Sequence, residues 1–283
     1  MSLLFYDDSP VFGGHEVMAL LGLDAVLSSH RGPVRFLAPS ANGKLRENLA
    51  ALAGKHPHLE IESLKEHSSK LESLRHLVRP ARIRKLARRF REIAPSLVVA
   101  IQGNLEHSSL ALLAARRAGI SSASYLPVPH TNAAMGARFG SIRDLFCSRL
   151  INLPDTYITI SDEMAKMLKE RGATTPVRIV YNGIDTDRFQ PGDGPAACRQ
   201  LGVPATKVRI GMVGRIEFRQ KQQHLLVEAV AADPTLAASC HLVFAGEGPD
   251  SGTLVEILRT SGVSGTVLPW SDPADLYRAM DVM

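Results

Sequence analysis

The feature that most constrains the fold is the regular alternation of short apolar runs with longer amphipathic segments. Short apolar runs bounded by turn residues are typical of buried strands, and the segments between them are typical of helices. Strands are predicted at 3–6, 34–38, 59–64, 97–101, 121–126, 157–160, 178–181, 208–213, 241–245 and 266–268. Because helices are predicted between these strands, the pattern indicates an α/β protein with parallel, doubly wound sheets.

A cluster of turn residues in mid-chain divides this pattern into two halves. Gly192, Asp193, Gly194 and Pro195 lie side by side there. A domain boundary at this cluster gives two Rossmann-like domains, at 1–191 and 192–283. The length of 283 residues suits two domains, and the apolar content of 45% is enough for two cores.

The segment 213–221 joins a predicted strand to a predicted helix at 222–232. A strand that passes into a helix through a glycine directs backbone N–H groups and the positive helix end to one edge, where anions bind. Gly214 supplies the glycine, and Arg215 and Lys221 add cations suited to phosphate oxygens. The segment therefore predicts a phosphate site without a metal. The alternative is an ordinary turn with two surface cations.

Two loops of the first half also follow predicted strands. Gly13 and Gly14 lie between the first strand and a helix, where they either let a ligand approach the backbone or form a plain tight turn. The pattern is not Gly-x-Gly-x-x-Gly, which disfavours an NAD dehydrogenase. His130 follows the strand at 121–126, and doubly wound sheets bind ligands at the carboxyl ends of their strands. A polar surface histidine is the alternative for His130.

Charge and cysteine content limit the partners and the compartment. The net charge of +5 and the pI near 9.2 favour anionic partners, but an aromatic content of 5% argues against a nucleic-acid platform. Three widely spaced cysteines form neither a disulfide framework nor a zinc site. Asp7 and Asp8 come too early for a signal peptide. We therefore expect a cytoplasmic protein.

The segment 68–93 is predicted to be helical, with a break or kink at Pro80. Its polar face is strongly basic, whereas a solvated helix usually mixes both signs. The skew indicates either an anionic membrane surface docked through 70–92 or a basic face without a partner. The cations are Arg75, Arg79, Arg82, Arg84, Lys85, Arg88, Arg89 and Arg91.

Four short motifs lie in order along the chain. They are Gly13-Gly14-x-Glu16, Asn182-Gly183-Ile184-Asp185, Gly214-Arg215 with Lys221 six residues on, and Gly246-x-Gly248-Pro249. Together they resemble the retaining glycosyltransferases of family 4, which have the GT-B fold. The resemblance covers nearly the whole chain and implies two Rossmann-like domains that face each other across a cleft.

The resemblance implies a nucleoside-diphosphate sugar as donor substrate, no separate cofactor, and transfer to an unknown acceptor such as a lipid-linked sugar or a polysaccharide. Arg215 and Lys221 match the family's diphosphate-binding cations, and His130 resembles the histidine that faces the transferred sugar. These three are the expected catalytic residues. The nucleotide-binding positions that it also implies are Gly13, Gly14, Asn182, Gly183, Gly214, Gly246, Gly248 and Trp270.

The chain departs from the family pattern at two places. Gln222 stands where a glycine commonly follows the lysine, and the chain stops at Met283 before the family's paired glutamates. We therefore expect an incomplete second domain that is less stable than the first. We also expect these 283 residues to bind nucleoside diphosphate weakly and to transfer no sugar by themselves.

Other functions remain as alternatives. Asp185-x-Asp187 could indicate a metal-dependent transferase, but aspartates after a turn are common for local reasons, so we expect no metal. A sugar-nucleotide epimerase shares the fold. A non-catalytic module that binds a nucleotide sugar is the third alternative.

Overall fold

The computed structural model describes residues 1–69 and 71–283, which form two compact units, Met1–Gly183 and Ile184–Met283. The first unit is built on a parallel seven-stranded sheet in the order β3-β2-β1-β4-β5-β6-β7. The strands are β1 Leu3–Tyr6, β2 Val34–Pro39, β3 Leu59–Leu64, β4 Leu97–Ile101, β5 Ser122–Tyr125, β6 Thr156–Thr159 and β7 Val177–Ile179.

Helices cover both faces of this sheet. They are α1 Gly14–Ser29, α2 Gly43–Lys55, α3 Glu72–Val78, α4 Pro80–Ile93, α5 Ser109–Ala118, α6 Gly140–Cys147 and α7 Asp162–Glu170, with a short 3₁₀ helix at Ser148–Leu150. On one face α1 and α2 pack over Phe5 and Phe36, and on the other α4 and α5 pack over Leu4 and Val98. Burial on both faces explains why the strands are apolar runs rather than alternating patterns.

The strand order reverses direction between β1 and β4. β1 pairs with β2 on one side and with β4 on the other. The helices that connect the strands therefore change from one face of the sheet to the other at this point. A crevice forms at such a reversal, outside the carboxyl ends of the strands, and it is where open α/β sheets bind ligands. The loops after β1 and β4 are therefore the first place to look for a site.

The second unit has a parallel three-stranded sheet in the order β10-β9-β8. Its strands are β8 Val208–Val213, β9 Cys240–Ala245 and β10 Gly265–Leu268, and its helices are α8 Gly194–Leu201, α9 Phe218–Lys221, α10 Gln223–Ala231, α11 Pro234–Ser239, α12 Ser251–Ser261 and α13 Pro273–Ala279. The larger core lies under α10 and α12, around Leu242 and Phe244, and a smaller one joins α8 to α13. Val282 adds a single parallel bridge to Ile210 of β8.

The division between the units falls after Gly183, earlier than the predicted boundary after 191. Two sets of hydrogen bonds hold residues 184–191 within the second unit. Arg188 Nη2 donates to both carboxylate oxygens of Asp272 at 3.0 Å, and Arg278 donates to the backbone oxygens of Arg188 and Gln190. The Gly/Pro cluster that marks the boundary in the sequence opens α8, since Asp193 caps that helix and Pro195 lies in its first turn.

The predicted α/β class with parallel sheets is confirmed, and so is the break at Pro80. Pro80 begins α4, and Arg79 is both the C-cap of α3 and the N-cap of α4. The predicted helix at 222–232 is preceded by a separate short helix, α9, because Gln222 adopts a left-handed φ of 55° between α9 and α10.

Candidate functional site

The loop after β1 carries Gly13 and Gly14 at the start of α1. The Gly13 N–H donates to Glu16 Oε2 at 2.7 Å, which fixes the entry to the helix. A Cβ built on Gly14 would meet no atom within 4 Å, so the space beside this backbone is open. The first N–H groups of a helix lack intrahelical partners, and the backbone at Gly14 is exposed. The geometry fits the first of the two sequence interpretations, a backbone that a ligand can approach.

Buried acids lie directly beside these glycines, and the sequence alone did not identify them as site residues. Asp7 and Glu16 are fully buried and Asp8 is 1% exposed. Burial raises the pKa of Asp7 well above its ordinary value and raises that of Asp8 to about 6. Asp7 Oδ2 and Asp8 Oδ2 have no hydrogen-bond partner among the described residues, and Glu16 Oε1 lies 2.9 Å from His15 Nε2. The signal in the sequence was the pair of acids at the end of a buried strand.

His15 completes this group. Its ring lies against Gly103 of the loop after β4, where an added Cβ would come within 2.7 Å of His15 Cε1. Ligand atoms of Asp7, His15 and Glu16 all lie within 4.8 Å of one another, so these three could together hold one cation. The expectation of no metal stays a prediction.

The loop after β4 is fastened to the loop after β1. The backbone N–H of Ser108 donates to Asp8 Oδ1 at 2.8 Å, and the N–H of Asp8 donates to Ser108 Oγ at 3.2 Å. Burial, with a smaller contribution from His15, lowers the pKa of His107 to about 4. The two loops therefore form one fixed wall at the carboxyl edge of β1 and β4, where the sheet order reverses.

His130 lies in the loop after β5, at the same edge of the sheet. Arg171 Nη1 donates to the backbone oxygens of Pro129 at 2.6 Å and of His130 at 3.0 Å. The N–H of Asn132 donates to Asp144 Oδ1 at 2.7 Å. The described residues supply no hydrogen bond to the His130 ring, which is half-buried. The backbone is thus held while the imidazole keeps both nitrogens available.

In the second unit, the loops after β8 and β9 are joined backbone to backbone. Gly214 N–H donates to Ala245 O at 2.9 Å, and Gly214 and Gly246 have φ angles of 141° and 143°. A Cβ on Gly246 would lie 2.1 Å from Gly214 O, and one on Gly248 would lie 2.0 Å from Ile216 O. Gly246 and Gly248 are therefore required for contact between two loops.

The predicted phosphate cations flank α9 on this fixed base. Arg215 follows Gly214, and its side chain is 65% exposed, with Nε 3.3 Å from Glu217 Oε2. Lys221 is the exposed last residue of α9. Gln223 Nε2 donates to Arg215 O at 2.9 Å, which ties the start of α10 to the loop. Two cations and the N-terminus of α10 thus surround one short segment after β8.

The remaining predicted positions are exposed. Asn182 and Gly183 follow β7 at the surface of the first unit, and Trp270 is 58% exposed between β10 and α13. Asp185 Oδ1 accepts from the N–H groups of Asp187 at 3.0 Å and Arg188 at 3.1 Å. These hydrogen bonds form a local turn, which is the interpretation of Asp185-x-Asp187 that the sequence analysis preferred to a metal-binding motif.

The predicted residues divide between the two units. Gly13, Gly14, His130, Asn182 and Gly183 belong to the first unit. Gly214, Arg215, Lys221, Gly246, Gly248 and Trp270 belong to the second. In each unit they follow the carboxyl ends of parallel strands, which is the edge that the sequence analysis named.

The basic face of the segment 70–92 is partly neutralised, which the sequence did not predict. Glu72 is fully buried and pairs with Arg75 at 3.1 Å and with Arg82. Arg89 pairs with Glu62 at 2.9 Å. The cations with no ion pair among residues 1–69 and 71–283 are Arg79, Arg84, Lys85 and Arg88, with Arg91 bonded to the backbone oxygen of Arg117. No helix in the described parts of the chain has the length and apolar character for a membrane crossing.

A family model describes the first unit. The model of Glycosyltransferase Family 4 matches residues 19–188, which is more than half of the chain. The D-inositol 3-phosphate glycosyltransferase of Rhodococcus erythropolis is 32% identical over 146 residues, covering 46% of this chain and 32% of that protein. The enzyme of the same name from Mycobacterium bovis is 29% identical over 181 residues, covering 56% and 37%. The match thus spans about a third of the length of these curated relatives.

A solved structure covers almost the whole chain. The crystal structure of Anabaena HepE in complex with UDP matches 99% of this chain and 72% of its own, with a TM-score of 0.73 and 20% sequence identity. Identity at that level establishes the fold alone. The predicted fold class, an α/β protein of GT-B type, is confirmed.

Proposed function

This chain belongs to Glycosyltransferase Family 4, and we propose that it moves a sugar from a nucleoside-diphosphate sugar to an acceptor hydroxyl with retention of configuration. The observation that carries the proposal is the pair of cations, Arg215 and Lys221, that flank α9 after the carboxyl end of β8. HepE is in complex with UDP, so UDP is the first diphosphate to test. The alternatives, an epimerase or a non-catalytic module, are outcomes of the same test.

Leaving-group stabilisation is the proposed source of catalysis. Negative charge grows on the diphosphate as its bond to the sugar breaks, and preorganised cations stabilise that charge more than they stabilise the ground state. Arg215 gives up its ion pair with Glu217 to bind phosphate. The Arg215 side chain is 65% exposed, so a phosphate can reach it from solvent, and a charged contact at an oxyanion contributes about 2.7–4 kcal/mol.

The first unit is proposed to hold the sugar and the acceptor. His130 has a fixed backbone and a ring free of protein hydrogen bonds, which suits a contact with a sugar hydroxyl. The N–H groups at Gly14 are suited to phosphate oxygens. Burial favours the protonated form of Asp7, which keeps one negative charge away from an edge that has to accept a phosphate.

Retention requires the acceptor oxygen to approach the face from which the diphosphate leaves. We assign no protein nucleophile to this step, since the cations and the acceptor hydroxyl suffice for it. The acceptor's proton would pass to an oxygen of the departing phosphate. Under this proposal Arg215 and Lys221 act mainly in the transition state, and removal of either lowers turnover.

Thermal-shift measurements on the complete protein with UDP, ADP, GDP and CDP test the donor half of the proposal. A ligand at 100 times its dissociation constant adds about 2.7 kcal/mol to the free energy of unfolding, so the preferred base should stand out. The matching nucleotide sugar is then incubated with candidate acceptors and the products are separated. Glycosylated acceptor supports the proposal, whereas an epimerised donor or binding without any turnover contradicts it.

The proposed location is the cytoplasm, at the inner face of a membrane. Arg79, Arg84, Lys85 and Arg88 support this proposal because they project charge from α4 and its junction with α3, with no ion pair among the described residues. Each cation near an anionic leaflet contributes about 1 kcal/mol to binding at low salt. The acceptor would then be lipid-linked rather than soluble.

A further inference from the structure

A groove of about 470 Å³ lies in the first unit, between α4 and the part of the sheet formed by β1, β2 and β3. Its apolar wall consists of Tyr6, Leu37, Leu64, Leu86 and Leu110. The volume lies within the range of about 300–1,000 Å³ that small-molecule sites occupy. We call this space the α4 groove.

The α4 groove reaches the carboxyl edge of the sheet. Tyr6 is the last residue of β1 and pairs with Leu37 of β2, while Leu64 is the last residue of β3. Asp7 and Asp8 follow Tyr6 directly. The groove therefore begins beside the loop wall of the candidate site, on the sheet face that α4 and α5 cover.

Cations surround the opening. Lys65, Lys85 and Arg88 line the groove, are exposed, and have no ion pair among residues 1–69 and 71–283. Arg82 and Arg89 also line it, but they pair with Glu66 at 2.6 Å and with Glu62 at 2.9 Å. The pairs hold those two arginines in place. Glu92 also lines the groove and lies 3.4 Å from Arg89, so the five cations and three acids of the lining leave a net charge of +2.

An apolar wall below a cationic rim recognises an amphiphile that carries its negative charge at one end. We propose that the α4 groove binds a single-chain anionic amphiphile, with its alkyl chain on the leucine wall and its phosphate at Lys85 and Arg88. This inference deepens the proposed function, on which it rests, because it makes the acceptor a lipid phosphate or a sugar carried on one. The apolar part would contribute about 0.8 kcal/mol for each buried methylene, and the phosphate would set the orientation.

The Tyr6 hydroxyl adds a polar point within the apolar wall. Tyr6 lines the groove, and its phenolic hydroxyl can donate or accept a hydrogen bond. A phosphate ester oxygen or a sugar hydroxyl of the ligand could bind there.

The test measures binding of dodecyl phosphate, below its critical micelle concentration, to the complete protein by calorimetry. Inorganic phosphate is the control for the headgroup alone. Dodecyl maltoside is the control for the alkyl chain with a neutral headgroup. We expect dodecyl phosphate to bind at least tenfold more tightly than either. Equal binding of inorganic phosphate, equal binding of dodecyl maltoside, or no binding of dodecyl phosphate overturns the proposal.

Charge-reversal variants locate the binding. Lys85→Glu with Arg88→Glu should weaken dodecyl phosphate binding at least tenfold. Arg84→Glu is the matched control, since Arg84 is an exposed cation of the same helix that does not line the groove. Equal losses in the variant and the control contradict a groove site. Anionic vesicles separate the two sources of lipid phosphate: a headgroup in a bilayer should also lose affinity in Arg84→Glu, and a single amphiphile in the groove should not.

The result is separable from a failure of the proposed function. The proposed diphosphate contacts include neither Lys85 nor Arg88, so UDP binding should be the same in Lys85→Glu with Arg88→Glu as in the parent protein. If none of the four nucleoside diphosphates binds but dodecyl phosphate does, the transferase proposal fails and the groove stands as a lipid-phosphate site. If UDP binds but dodecyl phosphate does not, the groove proposal alone fails.

Discussion

The two units place side chains of opposite type at equivalent positions. In the first, the buried acids Asp7 and Asp8 lie in the loop between β1 and α1, and Glu16 lies in the first turn of α1. In the second, the exposed cation Arg215 lies in the loop between β8 and α9, and Lys221 is the last residue of α9. A parallel strand followed by a glycine and a helix therefore fixes where a site lies, and the side chains added to that frame decide what binds there.

The difference in burial has a structural cause. The first sheet has seven strands with large apolar clusters on both faces, and the loops after β1 and β4 bond to each other over its edge. The second sheet has three strands, and β8 at its edge is only half-buried over most of its length. Acids are thus desolvated in the first unit, while cations in the second remain in contact with water, where a charged substrate can reach them.

The largest expected effect comes from removing the exposed cations. Arg215→Ala and Lys221→Ala should each lower turnover by about 10²–10³-fold, because each removes a contact to the departing diphosphate. Steady-state kinetics with the donor identified by thermal shift measures the loss. Arg259→Ala is the matched control, since Arg259 is also exposed in the second unit and pairs with a nearby glutamate, Glu256. Equal losses in all three variants would mean that surface charge, and not a site, is responsible.

Asp8→Asn examines the buried acids. The pKa of Asp8 is about 6 in the folded protein against an ordinary 3.8, so the folded state holds more protons between these values. Its stability therefore falls as the pH rises through that window. Asn cannot ionise, so the gain in unfolding free energy over the parent should be larger at pH 7 than at pH 4, by up to about 3 kcal/mol.

Denaturant unfolding at the two pH values measures this gain. The acceptor oxygen of residue 8 stays available to the Ser108 N–H in the variant, so the loop contact is retained. A difference between variant and parent that is the same at pH 4 and pH 7 would show that Asp8 is not desolvated in the way its burial indicates.

His130→Ala should lower turnover by about 10²-fold, or about 2.7 kcal/mol, while UDP binding changes little. The reason is that His130 belongs to the first unit, with the proposed sugar contacts, and the diphosphate contacts belong mainly to the second. Turnover and the dissociation constant for UDP are measured separately. His67→Ala serves as the control because His67 is an exposed histidine of the same unit. Loss of UDP binding together with turnover would place His130 at the nucleotide instead.

The order and type of the main elements were predictable because they depend on neighbours in the sequence. Apolar runs predicted the strands, and Pro80 predicted the break between α3 and α4. Three helices were missed, α8, α9 and α11. Both α8 and α11 begin with a capping aspartate followed by a proline in the first turn, a start signal that the sequence analysis did not use.

The tertiary structure alone decided which charges are paired and which are buried. The eight cations at 75–91 look alike in the sequence. In the fold, β3 and its loop bring Glu62 and Glu66 to Arg89 and Arg82, whereas Lys85 and Arg88 lie beside a groove with no ion pair among the described residues. Likewise, Gly246 and Gly248 stand out in the sequence as ligand contacts, and in the fold they admit the backbone of the neighbouring loop. Periodicity is a property of adjacent residues, whereas desolvation and ion pairing are set by groups that are distant in the chain and meet only when the sheet forms.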